Sequence, residues 1–133
     1  MVFVFTGTGN VSRGAQEMFQ LLPHEFVPVD QLPEIFRNPE AYRHKLIGCV
    51  VTAQDFSVNA DGSAINPETY FQNPEGAKSV FFEKIAPFAT VIVNGIYWDP
   101  RFPRLLTGEQ ARSLTRLVSI CDISCDINVR YII

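Results

Sequence analysis

The chain opens with a short apolar segment that leads directly into a glycine turn and then into a helical pattern. Val2–Thr6 is rich in residues that favour strands, and Gly7-Thr8-Gly9-Asn10 follows it. A helix is predicted to begin at Val11 and to stop at Pro23. Its predicted core face consists of apolar residues at helical spacing, namely Val11, Ala15, Met18 and Leu22, with Phe19 beside them. A strand, a glycine turn and a helix in this order indicate the first unit of an α/β fold.

Four further apolar segments are typical of strands, and helical or loop segments separate them. Because these runs are continuously apolar, they indicate strands buried on both faces of a parallel sheet. The sequence predicts an α/β fold, a Rossmann-like, doubly wound, mainly parallel five-stranded sheet with helices on both faces, in one domain over residues 1–127. The later strands are predicted at Phe26–Asp30, Leu46–Thr52, Thr90–Asn94 and Leu117–Asp122. Helices are predicted from about Pro74 to Ile85 and, after Thr107 as N-cap, from Gly108 to Leu114.

The composition of the 133 residues limits the classes of function. With 47% hydrophobic and 19% charged residues, the chain is expected to fold. A net charge of −3 without a Lys/Arg cluster argues against nucleic acid or an anionic membrane as a partner. No apolar run is long enough to span a membrane. Cys49, Cys121 and Cys125 form no CxxC pair, which is typical of reduced thiols in an intracellular protein. Neither histidine has metal-ligand spacing to a partner, so no metal site is predicted.

The glycine turn has the context of a dinucleotide-binding fingerprint. Gly7 allows the tight turn, Gly9 allows the backbone to approach a diphosphate, and the helix N-terminus faces the phosphates. Ser12 stands where the third glycine is usual, and Gly14 comes two residues later. A plain strand-to-helix turn is the alternative. Asp30, which follows Gly7 by 23 residues, is a candidate for the adenosine ribose hydroxyls, and a solvated turn-capping carboxylate is the alternative there.

Small and polar residues follow the fourth and fifth predicted strands, where ligands bind in doubly wound sheets. They are Asn94-Gly95-Ile96-Tyr97-Trp98 and Asp122-Ile123-Ser124. Between them, Arg101 and Arg104 are able either to bind phosphate or carboxylate or to pair locally.

Several segments resemble the lysine–ketoglutarate reductase region of the bifunctional α-aminoadipic semialdehyde synthases. Their residues are more similar to the plant-type enzymes than to the animal ones. Segments 3–16 (FVFTGTGNVSRGAQ) and 93–98 (VNGIYW) are the most specific, and 22–27, 48–55, 83–88, 101–106 and 120–127 also match. The resemblance covers the chain to about residue 127. Residues 128–133 depart from the family and form an atypical tail, which we interpret as a truncation.

The resemblance implies an oxidoreductase that condenses L-lysine reductively with 2-oxoglutarate to saccharopine, with NADPH as hydride donor. It implies that Gly7, Gly9, Asn10 and Val11 hold the diphosphate and that Asp30 meets the ribose. Ile96 and Tyr97 flank the nicotinamide, and Asp122, Ile123 and Ser124 close the crevice. The acidic Asp30 departs from what NADPH users carry, so NAD remains the alternative cofactor.

The family's acid–base residues belong to a preceding N-terminal catalytic domain, so no catalytic residue is assigned in this chain. A non-catalytic NAD(P)-binding module and an inactive truncated product are the alternative interpretations. The expected compartment is the cytoplasm, with a mitochondrial parent as the alternative.

Overall fold

Seven strands and six short helices follow one another along residues 1–123, the part of the chain that the computed structural model describes. The strands are β1 (Val2–Thr6), β2 (His24–Phe26), β3 (Leu46–Val51), β4 (Ser57–Val58), β5 (Lys78–Ser79), β6 (Val91–Asn94) and β7 (Ser119–Asp122). The α-helices are α1 (Asn10–Phe19), α2 (Leu32–Arg37), α3 (Ala53–Phe56), α4 (Pro67–Gln72), α5 (Phe81–Lys84) and α6 (Gly108–Ser113). Single 3₁₀ turns cover Val29–Gln31, Pro39–Tyr42 and Ala86–Phe88.

Five of these strands form one all-parallel sheet in the order β2-β3-β1-β6-β7. The α/β, Rossmann-like fold expected from the sequence is confirmed. The first strand lies at the centre, paired with β3 on one side and with β6 on the other. Dinucleotide-binding sheets usually place the second strand beside the first. Here β3 takes that position, and β2 pairs only with β3 at the edge.

Alternate side chains of the central strand enter two separate cores, as a strand buried on both faces requires. Val2 and Val4 belong to the larger core, which α2 and α5 cover with residues such as Leu32 and Phe81. Phe5 belongs to the smaller core on the opposite face, where α1 packs. The ring of Phe19 from α1 lies 5.2 Å from that of Phe5, centre to centre, in an edge-on arrangement.

The buried face predicted for α1 is partly wrong, because Phe19 is buried and Ala15 packs against the smaller core but the other three predicted residues are exposed. The helix contacts the sheet through Ser12 and Phe19, which are buried, whereas Val11, Met18 and Leu22 are 46%, 67% and 47% exposed. The helix also ends at Phe19 and does not reach Pro23. The apolar spacing identified a real stripe on this helix, but a small residue is needed where the helix approaches the sheet most closely, and Ser12 supplies it.

Two other predicted elements are corrected. The second strand covers His24–Phe26 and not Phe26–Asp30, and Asp30 lies in the 3₁₀ turn that follows. No single helix runs from Pro74 to Ile85, because Lys78 and Ser79 pair with the short strand β4 and leave only Phe81–Lys84 helical. The predicted strands at 46–52, 90–94 and 117–122 and the helix at 108–114 are confirmed within one or two residues at most ends.

Candidate functional site

Three neighbouring strands of the sheet end at the same level, and their following loops meet there. Thr6 of β1 pairs with Val51 of β3 on one side and with Asn94 of β6 on the other. The backbone N–H of Gly7 donates to the Val51 carbonyl at 2.8 Å. The carboxyl ends of parallel strands form the crevice in which ligands of doubly wound folds bind. The glycine turn therefore lies between the loops that follow β3 and β6.

The glycine turn is tightly constrained at its first glycine and open at its second. Gly7 has a φ of +83°, and a Cβ atom there would lie 2.5 Å from the Cγ2 atom of Ile96. Gly9 precedes the first residue of α1 with extended backbone, and no atom lies within 4 Å of where its Cβ would be. Only glycine fits at position 7. At position 9, the missing side chain leaves room for another molecule to approach the backbone.

The close packing that a third glycine usually permits is supplied by Gly95. A Cβ atom on Gly95 would lie 2.9 Å from the backbone nitrogen of Ser12 and 3.0 Å from its Cα. Ser12 is 1% exposed. In the usual fingerprint the glycine of this contact lies in the helix, whereas here it lies in the loop after β6. The fingerprint therefore lacks its third glycine at position 12.

A chain of polar side chains ties the ends of three strands together. The Thr6 hydroxyl donates to Asn94 Oδ1 at 2.6 Å and accepts from the Gly95 N–H at 3.2 Å. Asn94 Nδ2 donates to Asp122 Oδ1 at 3.0 Å. Thr6 and Asn94 are almost completely buried, so their hydrogen bonds are needed to offset the loss of water. This chain fixes the position of the loop that carries Gly95 and Ile96.

A cleft of about 450 Å³ opens beside the glycine turn. This volume is within the usual range for small-molecule sites. Its walls are mainly apolar and aromatic. Within residues 1–123, none of the residues that line it is Asp, Glu, His, Lys, Arg or Cys. The lining comes from the glycine turn (Gly7, Thr8, Gly9), the end of β3 and α3 (Thr52, Ala53, Gln54, Phe56), α4 (Pro67, Tyr70, Phe71) and the loop after β6 (Gly95, Ile96, Tyr97, Trp98, Phe102, Pro103).

The aromatic wall is held by its own hydrogen bonds and ring contacts. The indole N–H of Trp98 donates to the Phe102 carbonyl at 3.1 Å. The ring of Tyr70 lies 5.5 Å from that of Phe102, and its oxygen accepts from the Ser57 hydroxyl at 3.2 Å. Burial raises the pKa of Tyr70, although the Ser57 hydrogen bond opposes this. Chemically, such a cleft is suited to holding and orienting a ligand with flat apolar rings.

Of the ten residues predicted from the sequence to bind the cofactor, four line this cleft. Gly7, Gly9, Ile96 and Tyr97 line it. Asn10 and Val11 form the first turn of α1 next to it. Asp122 and Ile123 stand at the end of β7 outside the lining, and Ser124 lies outside the described residues.

Asp30 is not part of the cleft. It lies in the turn after the edge strand β2, and β3 separates that strand from β1. The turn that carries Asp30 contacts β3. Burial, then the charges of Asp55 and Asp30, raise the pKa of the Cys49 thiol in β3 to about 12.

Arg101 pairs locally. Its guanidinium donates to both carboxylate oxygens of Asp99 at 3.0 and 2.7 Å, and these hydrogen bonds lower the pKa of Asp99. Arg104 stacks over the Trp98 ring at 5.9 Å.

Sequence reasoning missed the contributions of the segments after β3 and of α4. Gln54 closely follows the apolar run of β3. Its position after the carboxyl end of a buried strand was the one sequence signal that it could line a ligand site. Nothing in the sequence pattern of 67–71 indicated that it returns to the glycine turn. Across residues 1–123, no group of three or more Asp, Glu, His or Cys side chains is placed to hold a metal ion. No helix within that range is long and apolar enough to cross a membrane.

In a comparison with known proteins, the chain is similar to α-aminoadipic semialdehyde synthases from a plant and from mammals. The chain is 45% identical over 96% of its length to the α-aminoadipic semialdehyde synthase of Arabidopsis thaliana. It is 40% and 39% identical over 95% of its length to the mitochondrial α-aminoadipic semialdehyde synthases of Bos taurus and Mus musculus. The chain matches one segment of these synthases. The resemblance noted in the sequence is thereby confirmed.

The matched segment is a small part of each synthase. The chain spans 13% of the length of the plant synthase and 15% of that of the mammalian synthases. No protein-family model matches the chain. The identity to the plant synthase exceeds the identity to the two mammalian ones, in agreement with the resemblance to plant-type enzymes noted in the sequence.

Proposed function

We propose that this chain is the NAD(P)-binding part of a synthase that condenses L-lysine reductively with 2-oxoglutarate to saccharopine in lysine degradation. The observation that carries the proposal is the turn between β1 and α1, where an obligatory glycine precedes an open one at the mouth of an aromatic cleft. The similarity to α-aminoadipic semialdehyde synthases supports the parent reaction.

The residues present fit a nicotinamide dinucleotide. A Cβ at Gly9 would point into open space, so the backbone there is accessible to a diphosphate. The start of a ten-residue helix at Asn10 supplies N–H groups and a positive dipole end. Aromatic rings in the cleft beside the turn supply apolar walls for a base. The cofactor, NADPH with NADH as alternative, would supply the hydride.

In this proposal the chain binds and orients the cofactor. Gly7, Gly9, Asn10 and Val11 hold the diphosphate, and Ile96 and Tyr97 flank the nicotinamide. Asp122, the last residue of β7, and Ile123 after it close the crevice, a role that the sequence also assigns to Ser124. An N-terminal catalytic domain of the parent protein supplies the proton-transfer groups and contacts the substrates. We propose the cytoplasm as the compartment, because the cysteines are typical of reduced thiols. A mitochondrial parent protein is the alternative, and the names of the mammalian relatives carry that label.

The test is a titration of the folded chain with NADPH and with NADH, followed by quenching of Trp98, the single tryptophan, which lines the cleft. Saturable quenching is expected. Gly9→Ala should weaken binding roughly 10- to 100-fold, since hydrogen bonds to charged groups contribute about 1.5–3 kcal/mol each.

Gly14→Ala is the matched control, because a Cβ at Gly14 also meets open space but lies inside α1, away from the cleft. It should leave binding unchanged. If the folded chain binds neither nucleotide, or if Gly9→Ala binds as well as the unaltered chain, the proposed diphosphate site is wrong.

A non-catalytic NAD(P)-binding module is the second candidate. For the isolated chain it is favoured by the cleft lining, which within residues 1–123 has no ionisable side chain other than tyrosine. Loss of NADPH absorbance with lysine and 2-oxoglutarate distinguishes the two. Turnover is expected only when the N-terminal catalytic part of the plant synthase is added. Binding without turnover in that mixture would support the module.

A further inference from the structure

The order of strands decides which loop lies on the adenosine side of the glycine turn. A dinucleotide whose diphosphate lies over the turn after β1 extends in two directions, towards the strands on either side of β1. Those neighbours are β6 and β3. The loop after β6 carries Ile96 and Tyr97, so the other end of the ligand is directed towards the loop after β3.

The strand that precedes Asp30 ends far from this edge. Phe26, the last residue of β2, pairs with Gly48, and Gly48 pairs with Phe3 of the central strand. The edge strand therefore stops three residues short of Thr6, which is about 10 Å along the strand direction. It also lies one strand further from β1 than β3 does.

The segment that follows β3 is next to the glycine turn and presents one exposed, uncharged polar side chain to the cleft. Thr52 and Gln54 line the cleft, and Gln54 is exposed. The neighbouring carboxylate of Asp55 is turned back, because it accepts from the Thr52 backbone N–H at 2.7 Å and from the Thr52 hydroxyl at 2.9 Å. An amide such as that of Gln54 can donate to a phosphate and can also donate to or accept from a ribose hydroxyl.

We propose that the segment after β3, with the exposed Gln54 of α3, takes the position beside the adenosine ribose that sequence spacing assigns to Asp30, and that Gln54 governs discrimination between NADPH and NADH. This inference rests on the proposed function. It removes the conflict between an acidic ribose residue and NADPH, because Asp30 lies outside the cleft.

The test uses isosteric changes of one charge at the two competing positions in the 133-residue chain. Gln54→Glu should lower the affinity for NADPH relative to NADH about tenfold, because a carboxylate repels the 2′-phosphate. Asp30→Asn should leave the ratio within about twofold. Gln20→Glu is the charge control, since Gln20 follows the far end of α1, roughly 15 Å from the glycine turn.

Gln54→Lys provides a second, opposite change and should raise the affinity for NADPH relative to NADH. Circular dichroism and the urea midpoint check that each variant is folded. The inference is overturned if the Gln54 variants leave the NADPH-to-NADH ratio unchanged, or if Asp30→Asn shifts it towards NADPH. Failure of the folded, unaltered chain to bind either nucleotide instead overturns the proposed function, and this inference with it.

Discussion

Gly95 and Ser12 make the closest backbone contact at the candidate site. The contact places the start of α1 against the loop after β6 with no room for a methyl group between them. Because Gly7 also leaves no space on the side facing Ile96, the turn is enclosed by the same loop from two directions. At the scale of single residues, the geometry of the site therefore depends on the absence of a side chain at positions 7 and 95.

Gly95→Ala should lower the free energy of unfolding by about 1–3 kcal/mol, the usual cost of forcing an extra carbon into a packed contact. Urea denaturation measures this. Gly14→Ala is the control and should instead add about 0.5–1 kcal/mol, because alanine is the better residue within a helix. Equal stability of the Gly95→Ala variant and the unaltered chain would show that α1 can move away at no cost.

Cys49 shows how the core treats an ionisable group. Burial, then the charges of Asp55 and Asp30, raise the pKa of its thiol from 9.0 to about 12. The folded state thus holds the protonated thiol more strongly than the unfolded state does. The resulting stability is fully present below about pH 9 and is lost as the pH rises from 9 towards 12.

At pH 8, a thiol reagent should label the exposed Cys121 in the folded chain and label Cys49 only after unfolding. Peptide mapping by mass spectrometry identifies the labelled residue. The unfolding free energy should also fall between pH 9 and 10.5, and part of this fall should disappear in Cys49→Ala. Rapid labelling of Cys49 in the folded chain would contradict its burial.

At the scale of elements, α6 is the helix whose start was read most directly from local sequence. The Thr107 hydroxyl accepts from the Gln110 N–H at 3.2 Å, and Gln110 Oε1 accepts from the Thr107 N–H at 2.9 Å. This reciprocal pair is a capping box. Thr107→Ala should cost about 1 kcal/mol in urea denaturation. Thr115→Ala, an exposed threonine in the turn after the helix, should cost much less.

Local sequence predicted elements well where the signal was itself local. Continuous apolar runs located β1, β3 and β6, because strands buried on both faces need them. The face of α1 was assigned only partly correctly, because Val11 and Met18 of its apolar stripe are exposed while Ala15 packs against the core. The contact that orients the helix involves Gly95, more than eighty residues away along the chain. Likewise, no pattern within 74–85 shows that Lys78 pairs with Val58.

At the scale of the whole molecule, the site is assembled from segments that are distant in sequence. The motif at Gly7 and Gly9 was visible in the sequence, as were the residues after β6. The contribution of Gln54 was not, because it depends on β3 lying between β1 and β2. Strand order is a property of long-range pairing, and the apolar patterns of the individual strands are compatible with several orders. Spacing from the glycine turn therefore selected Asp30, which does not line the cleft.

The central position of β1 also has a consequence for how the sheet forms during synthesis. Val2 pairs with Ile47, about 45 residues later, and Phe3 pairs with Val91, about 88 residues later. Closing such long loops costs entropy before the pairing compensates it, which is typical of slow folding. At a synthesis rate of roughly 5–20 residues per second, β1 exists for several seconds before its second partner strand. During that interval the apolar side chains of β1 are not yet covered by the complete sheet, so the nascent chain is exposed to aggregation.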